Sequence, residues 1–224
     1  GTAVAGVIAA RADGSGLAGV APDARLTVAK ACWYPDSANA KALCSSWTLA
    51  KAIDFVINHG AKVLNLSLGG RASDALLARL LAAAEQRGMV VVAATLEGRD
   101  EPGFPASLET VIPVMACDAN GRIQAPRWRG PSFVAAAPGI EVVAPIPHSR
   151  HTLISGSSLA AAHVSGVVAL LLQQTPDLTP RQIKTLLQAT ARPVANSPAS
   201  ADPVIGLVDA CAALARHAPG LTCH

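Results

Sequence analysis

The sequence predicts an α/β protein with a central, mostly parallel sheet and helices on both faces. Three observations carry that prediction. Candidate strands and helices alternate through the first half at the spacing of βαβ units. The candidate strands read as unbroken apolar runs, as strands covered on both faces do. Of the 224 residues, 51% are apolar, 15% charged and 3% aromatic. Alanine supplies about a fifth of the chain, which is the composition of a close-packed domain rather than a disordered one.

Residues 2–11 are small and apolar enough for a short buried helix. Asp13-Gly14-Ser15-Gly16 makes a turn, and Arg25 to Cys32 reads as a strand. Trp47 to Asn58 fits a helix and Ala61 to Leu68 a buried strand. Ser73 to Arg87 is a helix that Ser73 can cap, with Leu76, Leu77, Leu80, Leu81 and Ala84 along one stripe. Gly88 ends it. Met89 to Ala94 is a β-branched run suited to a central strand. Thr110 to Cys117 is the next strand, followed by a turn at 118–121. Phe133 to Ala136 and Glu141 to Val143 are short strands around Pro138-Gly139. The pattern is helical from Ser157 or Ser158 to Gln174. Thr179 caps another helix, with Pro180 at its first position, and that helix runs to Ala191. A Pro- and Ser-rich loop covers 193–203, and a last helix fits Leu207 to Arg216. No repeat and no long linker divides the chain, so residues 1–224 read as one domain.

Several classes of function are excluded. The net charge is only +3 and no basic stripe forms, so no nucleic-acid partner is expected. The longest apolar run, Val164 to Leu172, is broken by Ser165 and Gly166. It falls short of the ~18 residues of a spanning helix, so no membrane partner is expected. The chain opens without Met or signal peptide and reads as a mature product or a fragment.

Five cysteines occur, none with zinc spacing. Cys32 with Cys44, and Cys211 with Cys223, are spaced as small disulfide loops, leaving Cys117 in an apolar strand. The alternative is five free thiols in a cytosolic protein. Disulfides imply export, to the medium or the periplasm.

Two motifs are rejected. Gly14-Ser15-Gly16-Leu17-Ala18-Gly19 matches GxGxxG, but no helix opens at it. Asp118-Ala119-Asn120-Gly121 begins like a calcium loop and lacks the remaining ligands. Ser158 carries a sharper signal. Gly156 lets the chain turn before a helix, and Ser158 then lies at that helix's N-terminus. Unpaired N–H groups and the positive dipole end are there, where an oxyanion would be stabilised. The ordinary alternative is an N-cap serine. A GxSxG elbow does not fit, because its fifth position is Ala160.

Six segments in order resemble those of the subtilisin-like serine proteases, the subtilase family. Gly156-Ser157-Ser158-Leu159-Ala160-Ala161-Ala162-His163-Val164-Ser165-Gly166 is similar to GTSMAxPHVxG around the family's nucleophile. Gly1-Thr2-Ala3-Val4-Ala5-Gly6 is similar to the GTHVAG that follows its catalytic histidine. Gly19 to Ala24 resembles GVAPxA, and Leu64 to Gly70 resembles the NxSLGG substrate strand. Phe104-Pro105-Ala106-Ser107 resembles YPAS, and Ala136-Ala137-Pro138-Gly139 the APG turn.

The resemblance runs from Gly1 to about Leu214. It implies a three-layer α/β sandwich, subtilisin-like and incomplete at the N-terminus, and peptide-bond hydrolysis. Ser158 would be the nucleophile. Ser67, Leu68 and Gly69 would offer a backbone edge to an extended substrate. Ala93, Ala94 and Thr95 would form the opposite wall of the primary pocket. The small residues Gly69, Gly70, Ala93 and Ala94 suggest that this pocket is open. The expected partner is a polypeptide substrate or inhibitor, with a separate N-terminal peptide as a further one. No cofactor is expected; calcium is common in the family, but no carboxylate cluster here takes a site.

The departures from the family pattern are specific. The catalytic His would lie immediately before Gly1, and the strand with the catalytic Asp further upstream. Neither is in the sequence. His163 matches a structural histidine of the serine helix. The AAGNEG segment becomes Ala93-Ala94-Thr95-Leu96-Glu97-Gly98, so Leu96 stands at the oxyanion asparagine. Loss of that donor in subtilisin costs about 2.7–4 kcal/mol. Ala162 replaces the motif's proline. These departures leave a second expectation open, a degenerate subtilase that binds peptides or proteins without cleaving them.

Overall fold

The computed structural model describes residues 1–14, 16–34, 42–123, 130–148, 150–196, 204–218 and 220–223. Trp128, His224, Ser15 and much of the Pro/Ser-rich loop lie outside the described residues. Helix α1 (Thr2–Ala9) matches expectation and buries Val7 and Ile8. The expected strand at 25–32 is a correction. Only Cys32–Trp33 (β1) pairs, antiparallel to Leu43–Cys44 (β2). Residues 25–31 have no ladder partner among the described residues, and Val28 is 77% exposed. A β-branched run becomes a strand only where another backbone satisfies its N–H and C=O groups.

Helix α2 (Ser46–Asn58) is held by a capping box. Ser45 Oγ accepts from the Thr48 N–H at 3.1 Å, and Thr48 Oγ1 accepts from the Ser45 N–H at 3.2 Å. Strand β3 (Val63–Leu66) is shorter and less buried than expected, with only Leu66 fully covered. Helix α3 (Ala75–Gln86) starts two residues later than expected, and Asp74 caps it instead of Ser73. Asp74 Oδ1 accepts from the Leu77 N–H at 3.0 Å. The Ser46 side chain and then the Leu77 N–H hold the Asp74 carboxyl below the usual carboxylate range. Leu77, Leu81 and Ala84 form the buried stripe, and Leu76 sits at its margin, 48% exposed.

Strands β4 (Val90–Ala94), β5 (Val111–Cys117) and β6 (Phe133–Pro138) follow, nearly every residue buried. Strands β7 (Val142–Ile146) and β8 (Arg150–Ile154) form an antiparallel hairpin; the second was not anticipated. Helix α4 (Ser157–Gln174) and helix α5 (Pro180–Thr190) come next. Thr179 caps α5 as expected, in a capping box with Gln182. Two further unanticipated strands, β9 (Arg192–Pro193) and β10 (Val204–Leu207), precede helix α6 (Ala210–Ala215). Leu207 therefore ends a strand instead of opening the last helix, which Asp209 caps.

The main sheet has the order β3-β4-β5-β6-β10-β9. All its neighbours are parallel except the final β10–β9 pair. Side chains alternate across it. Val90, Val92, Ala94, Ile112, Val114 and Phe133 face a core with α4, α5 and α6 residues. Val91, Ala93 and Val111 face the opposite core with α2 and α3 residues. This is the expected three-layer sandwich.

Helix α4 is long and apolar enough to cross a membrane, but 67% of it is buried here; it is the core helix. Each fully buried Val or Leu on it contributes about 1.5–3 kcal/mol. Gly166 permits its close approach to Val20, since a Cβ there would stand 2.6 Å from Val20 Cβ. Both anticipated disulfides form, Cys32–Cys44 and Cys211–Cys223, and Cys117 is free and buried.

Candidate active site

Parallel α/β sheets present loops at the carboxyl ends of their strands, and ligands bind there. Strand β3 ends at Leu66 and runs on through Ser67, Leu68 and Gly69. Strand β4 ends at Ala94 and runs on through Thr95 and Leu96. Strand β6 ends at Pro138, just before Gly139. The N-terminus of α4 meets these ends. Gly156 N–H donates to Gly139 O at 2.6 Å. Gly139 must be a glycine for this approach, because a Cβ would stand 2.9 Å from Gly156 O.

Ser158 is the second residue of α4 and is half-buried. Its hydroxyl donates to Ser67 O at 3.1 Å, and the Ser67 hydroxyl donates to Ser158 O at 2.8 Å. Asn65 Nδ2 donates to Ser67 Oγ at 2.9 Å, and Ser165 Oγ donates to Asn65 Oδ1 at 3.0 Å. Four side chains from β3, its extension and α4 thus tie the serine helix to the sheet edge. The Ser158 N–H belongs to the first helical turn, whose donors have no intrahelical acceptor. Ser158 therefore places its hydroxyl and its own N–H at the start of the core helix, where the adjoining Gly156 and Leu159 N–H groups already have main-chain acceptors.

Leu68 and Gly69 lie between the last ladder pair, Leu66 with Ala93, and an antiparallel bridge of Gly70 with Phe104. Gly69 and Gly70 are exposed. Ala93 and Ala94 are 0% and 5% exposed and their side chains belong to the two cores. What they turn toward Gly69 is backbone: Ala94 O would lie 3.6 Å from a Cβ at that residue. Thr95 is buried, donates its N–H to Val114 O and accepts the Ser157 hydroxyl at 2.8 Å.

Sequence reasoning missed the role of Glu97. Its Oε1 accepts the Ser157 N–H at 2.8 Å, fixing the first turn of α4. No local spacing signals a cap supplied from so far along the chain. It also did not show where Leu96 points. The Leu96 N–H donates to Pro102 O at 3.0 Å, and its side chain lies over Gly69 and Gly103. A Cβ at Gly69 would meet Leu96 Cδ2 at 3.2 Å, and one at Gly103 would meet Leu96 Cδ1 and Cγ at 2.5 Å. The Leu96 isobutyl group thus lies across the space beside Gly69 and Gly103.

His163 turns into the fold. Its Nδ1 lies 3.0 Å from Leu159 O, and burial lowers its pKa from the usual histidine value. Asp118 shapes the turn after β5, where its Oδ1 accepts from the N–H groups of Asn120 and Arg122, each at 2.9 Å. Among the described residues no three His, Cys, Asp or Glu side chains stand together to hold a metal.

A serine at the start of a buried helix, facing the carboxyl edge of a parallel sheet, is the scaffold of an α/β serine hydrolase. The family model described as the subtilase family, Peptidase_S8, matches residues 1–207. Subtilisin DY of Bacillus licheniformis is 32% identical over 202 residues, covering 88% of this chain and 72% of that protein. The thermostable alkaline protease of Halalkalibacterium halodurans is 34% identical over 85% of this chain, and the match spans 52% of the relative. Among solved structures, the prenylagaramide maturation protease PagA superposes with a TM-score of 0.79 at 27% identity, covering 97% of this chain and 82% of that one. Fervidolysin from Fervidobacterium pennivorans gives 0.78 at 30%, covering 95% and 35%. The chain belongs to the subtilase family.

Proposed function

We propose that residues 1–224 form the serine-bearing major part of a subtilisin-type endopeptidase domain, which hydrolyses peptide bonds through an acyl-enzyme on Ser158. The carrying observation is the Ser158 hydroxyl at the N-terminus of α4, bonded to the main chain of the edge a peptide would join. Ser158 Oγ attacks the substrate carbonyl carbon while a histidine takes its proton. The C–N bond breaks, the proton passes to the leaving amine, and water hydrolyses the ester. The Ser158 N–H serves the oxyanion. Leu68 and Gly69 hold the peptide as an added strand.

The family resemblance puts the histidine immediately before Gly1. Ala3 and Val4 pack against the apolar cluster that contains Leu159 and Ala162, which supports this by bringing the start of α1 towards the serine end of α4. Loss of the histidine alone costs subtilisin about 10⁶ in kcat, so residues 1–224 by themselves have no meaningful protease activity. The partner is a polypeptide substrate or inhibitor, and an upstream segment can be supplied as a separate peptide. The two disulfides support a secreted or periplasmic location.

Leu96 favours a second reading, a degenerate subtilase that binds a peptide or protein without turnover. Labelling with a fluorophosphonate probe separates the two. The first predicts labelling of Ser158 when an upstream segment with the Asp and His is present, and none on residues 1–224 alone. Absence of labelling in both forms leaves the binding reading.

A further inference from the structure

The geometry points to Leu96 as a built-in plug of the primary specificity pocket, restricting the residue whose carbonyl faces Ser158 to glycine or alanine. The inference rests on the peptide-cleft reading above. Three backbone stretches converge beside Ser158. Gly70 and Phe104 exchange both main-chain hydrogen bonds at 2.8 Å, which fixes the 69–70 stretch against 103–104. The Leu96 N–H, bonded to Pro102 O at 3.0 Å, fixes the third stretch against the second. Two of the facing residues, Gly69 and Gly103, have no side chain. A slot walled by backbone is what a cleft needs to admit a substrate side chain.

Leu96 takes up that space. Its Cδ2 lies over Gly69, and its Cγ and Cδ1 lie over Gly103, so closely that a methyl on Gly103 would overlap them. Gly103 also has φ +69°, a left-handed conformation that favours glycine. One side chain thus has two consequences. It removes a donor from the oxyanion position, and it fills the adjacent slot with the volume of a leucine. A substrate side chain larger than methyl must displace it, against the packing that holds it between the two glycines.

The test uses N-terminally fluorescein-labelled Ala-Ala-Ala-Gly and Ala-Ala-Ala-Phe with free carboxyl ends, read by fluorescence anisotropy. The terminal carboxylate stands where the scissile carbonyl would, against the Ser158 N–H of the first turn of α4, and sets the register. The parent chain should bind the Gly-ending peptide at least about tenfold more tightly than the Phe-ending one, the scale on which apolar pockets discriminate by size. Leu96→Ala should abolish the preference. Equal binding of both peptides by the parent chain, or an unchanged preference in Leu96→Ala, overturns the plug. Absence of binding by both proteins overturns the peptide-cleft reading instead, and the packing claim is then judged by melting temperature. Gly103→Ala should lower Tm by several degrees more in the parent than in the Leu96→Ala background; equal losses overturn the plug.

Discussion

Ser67 and Ser158 hold each other reciprocally, each hydroxyl donating to the other's main-chain carbonyl, at 2.8 and 3.1 Å. The two bonds join the edge of the sheet to the first turn of the core helix. Ser67 also accepts from Asn65, so its hydroxyl links two neighbours while that of Ser158 serves one. Ser67→Ala should therefore destabilise more than Ser158→Ala. A net hydrogen bond contributes about 0.5–1.5 kcal/mol, so the expected costs are about 1–2 kcal/mol for Ser67 and about 0.5–1 kcal/mol for Ser158. Urea unfolding of both variants checks the order.

Glu97 holds the Ser157 N–H and thereby the first turn that presents Ser158. Glu97→Ala should cost about 0.5–2 kcal/mol, the range for a lost helix cap. Glu97→Gln keeps an oxygen acceptor and should recover most of that loss. Thermal unfolding of the pair reads the difference. Equal losses in both would mean that charge at the helix end matters more than the hydrogen bond.

His163 makes stability depend on pH. Burial disfavours its charged form and lowers the folded-state pKa, against which the Leu159 and Pro138 carbonyls act only in part. In the unfolded chain the group titrates near its usual 6.5. Below that value the unfolded chain takes up a proton that the folded chain refuses. The contribution is complete above pH 6.5, is lost as pH falls below it, and levels off below the folded-state pKa. His163→Gln should flatten the change in urea midpoint across that window.

Cys117 behaves oppositely. Burial, then the neighbouring Asp118 charge, push its thiol up to about 11 from 9.0. The folded chain keeps the proton that the unfolded chain releases, so stability falls as pH rises from about 9 to 11. The native protein should resist iodoacetamide at pH 8, because the thiol is 1% exposed and protonated. Denaturant should expose one alkylatable thiol, counted by mass spectrometry.

The sequence was most legible where local chemistry decides. Thr179 followed by Pro180 marked a helix start, the run 89–94 marked a central strand, and Gly156 marked the turn into the serine helix. Asp74, one residue after the expected Ser73, shows how neighbouring cap residues compete for the same N–H group. Residues 25–31 failed because strand formation needs a neighbour that pattern alone does not supply. The site divided similarly. The placement of Ser158 at the start of the core helix, beside the Ser67–Gly69 extension of β3, was readable from motifs. The direction of Leu96 was not, because it depends on Gly69 and Gly103, which only the fold brings beside it. The cap from Glu97 to α4 is hidden for the same reason.

Ser158 as the nucleophile of a completed domain can be tested by peptide hydrolysis. The assay compares a chain extended upstream to restore the Asp and His, alone and with Leu96→Asn, each beside its Ser158→Ala counterpart. A nucleophilic Ser158 gives slow turnover that Ser158→Ala abolishes. Leu96→Asn then raises kcat by about 10²–10³, the worth of that donor in subtilisin. No turnover in either form, or turnover that survives Ser158→Ala, would contradict that role.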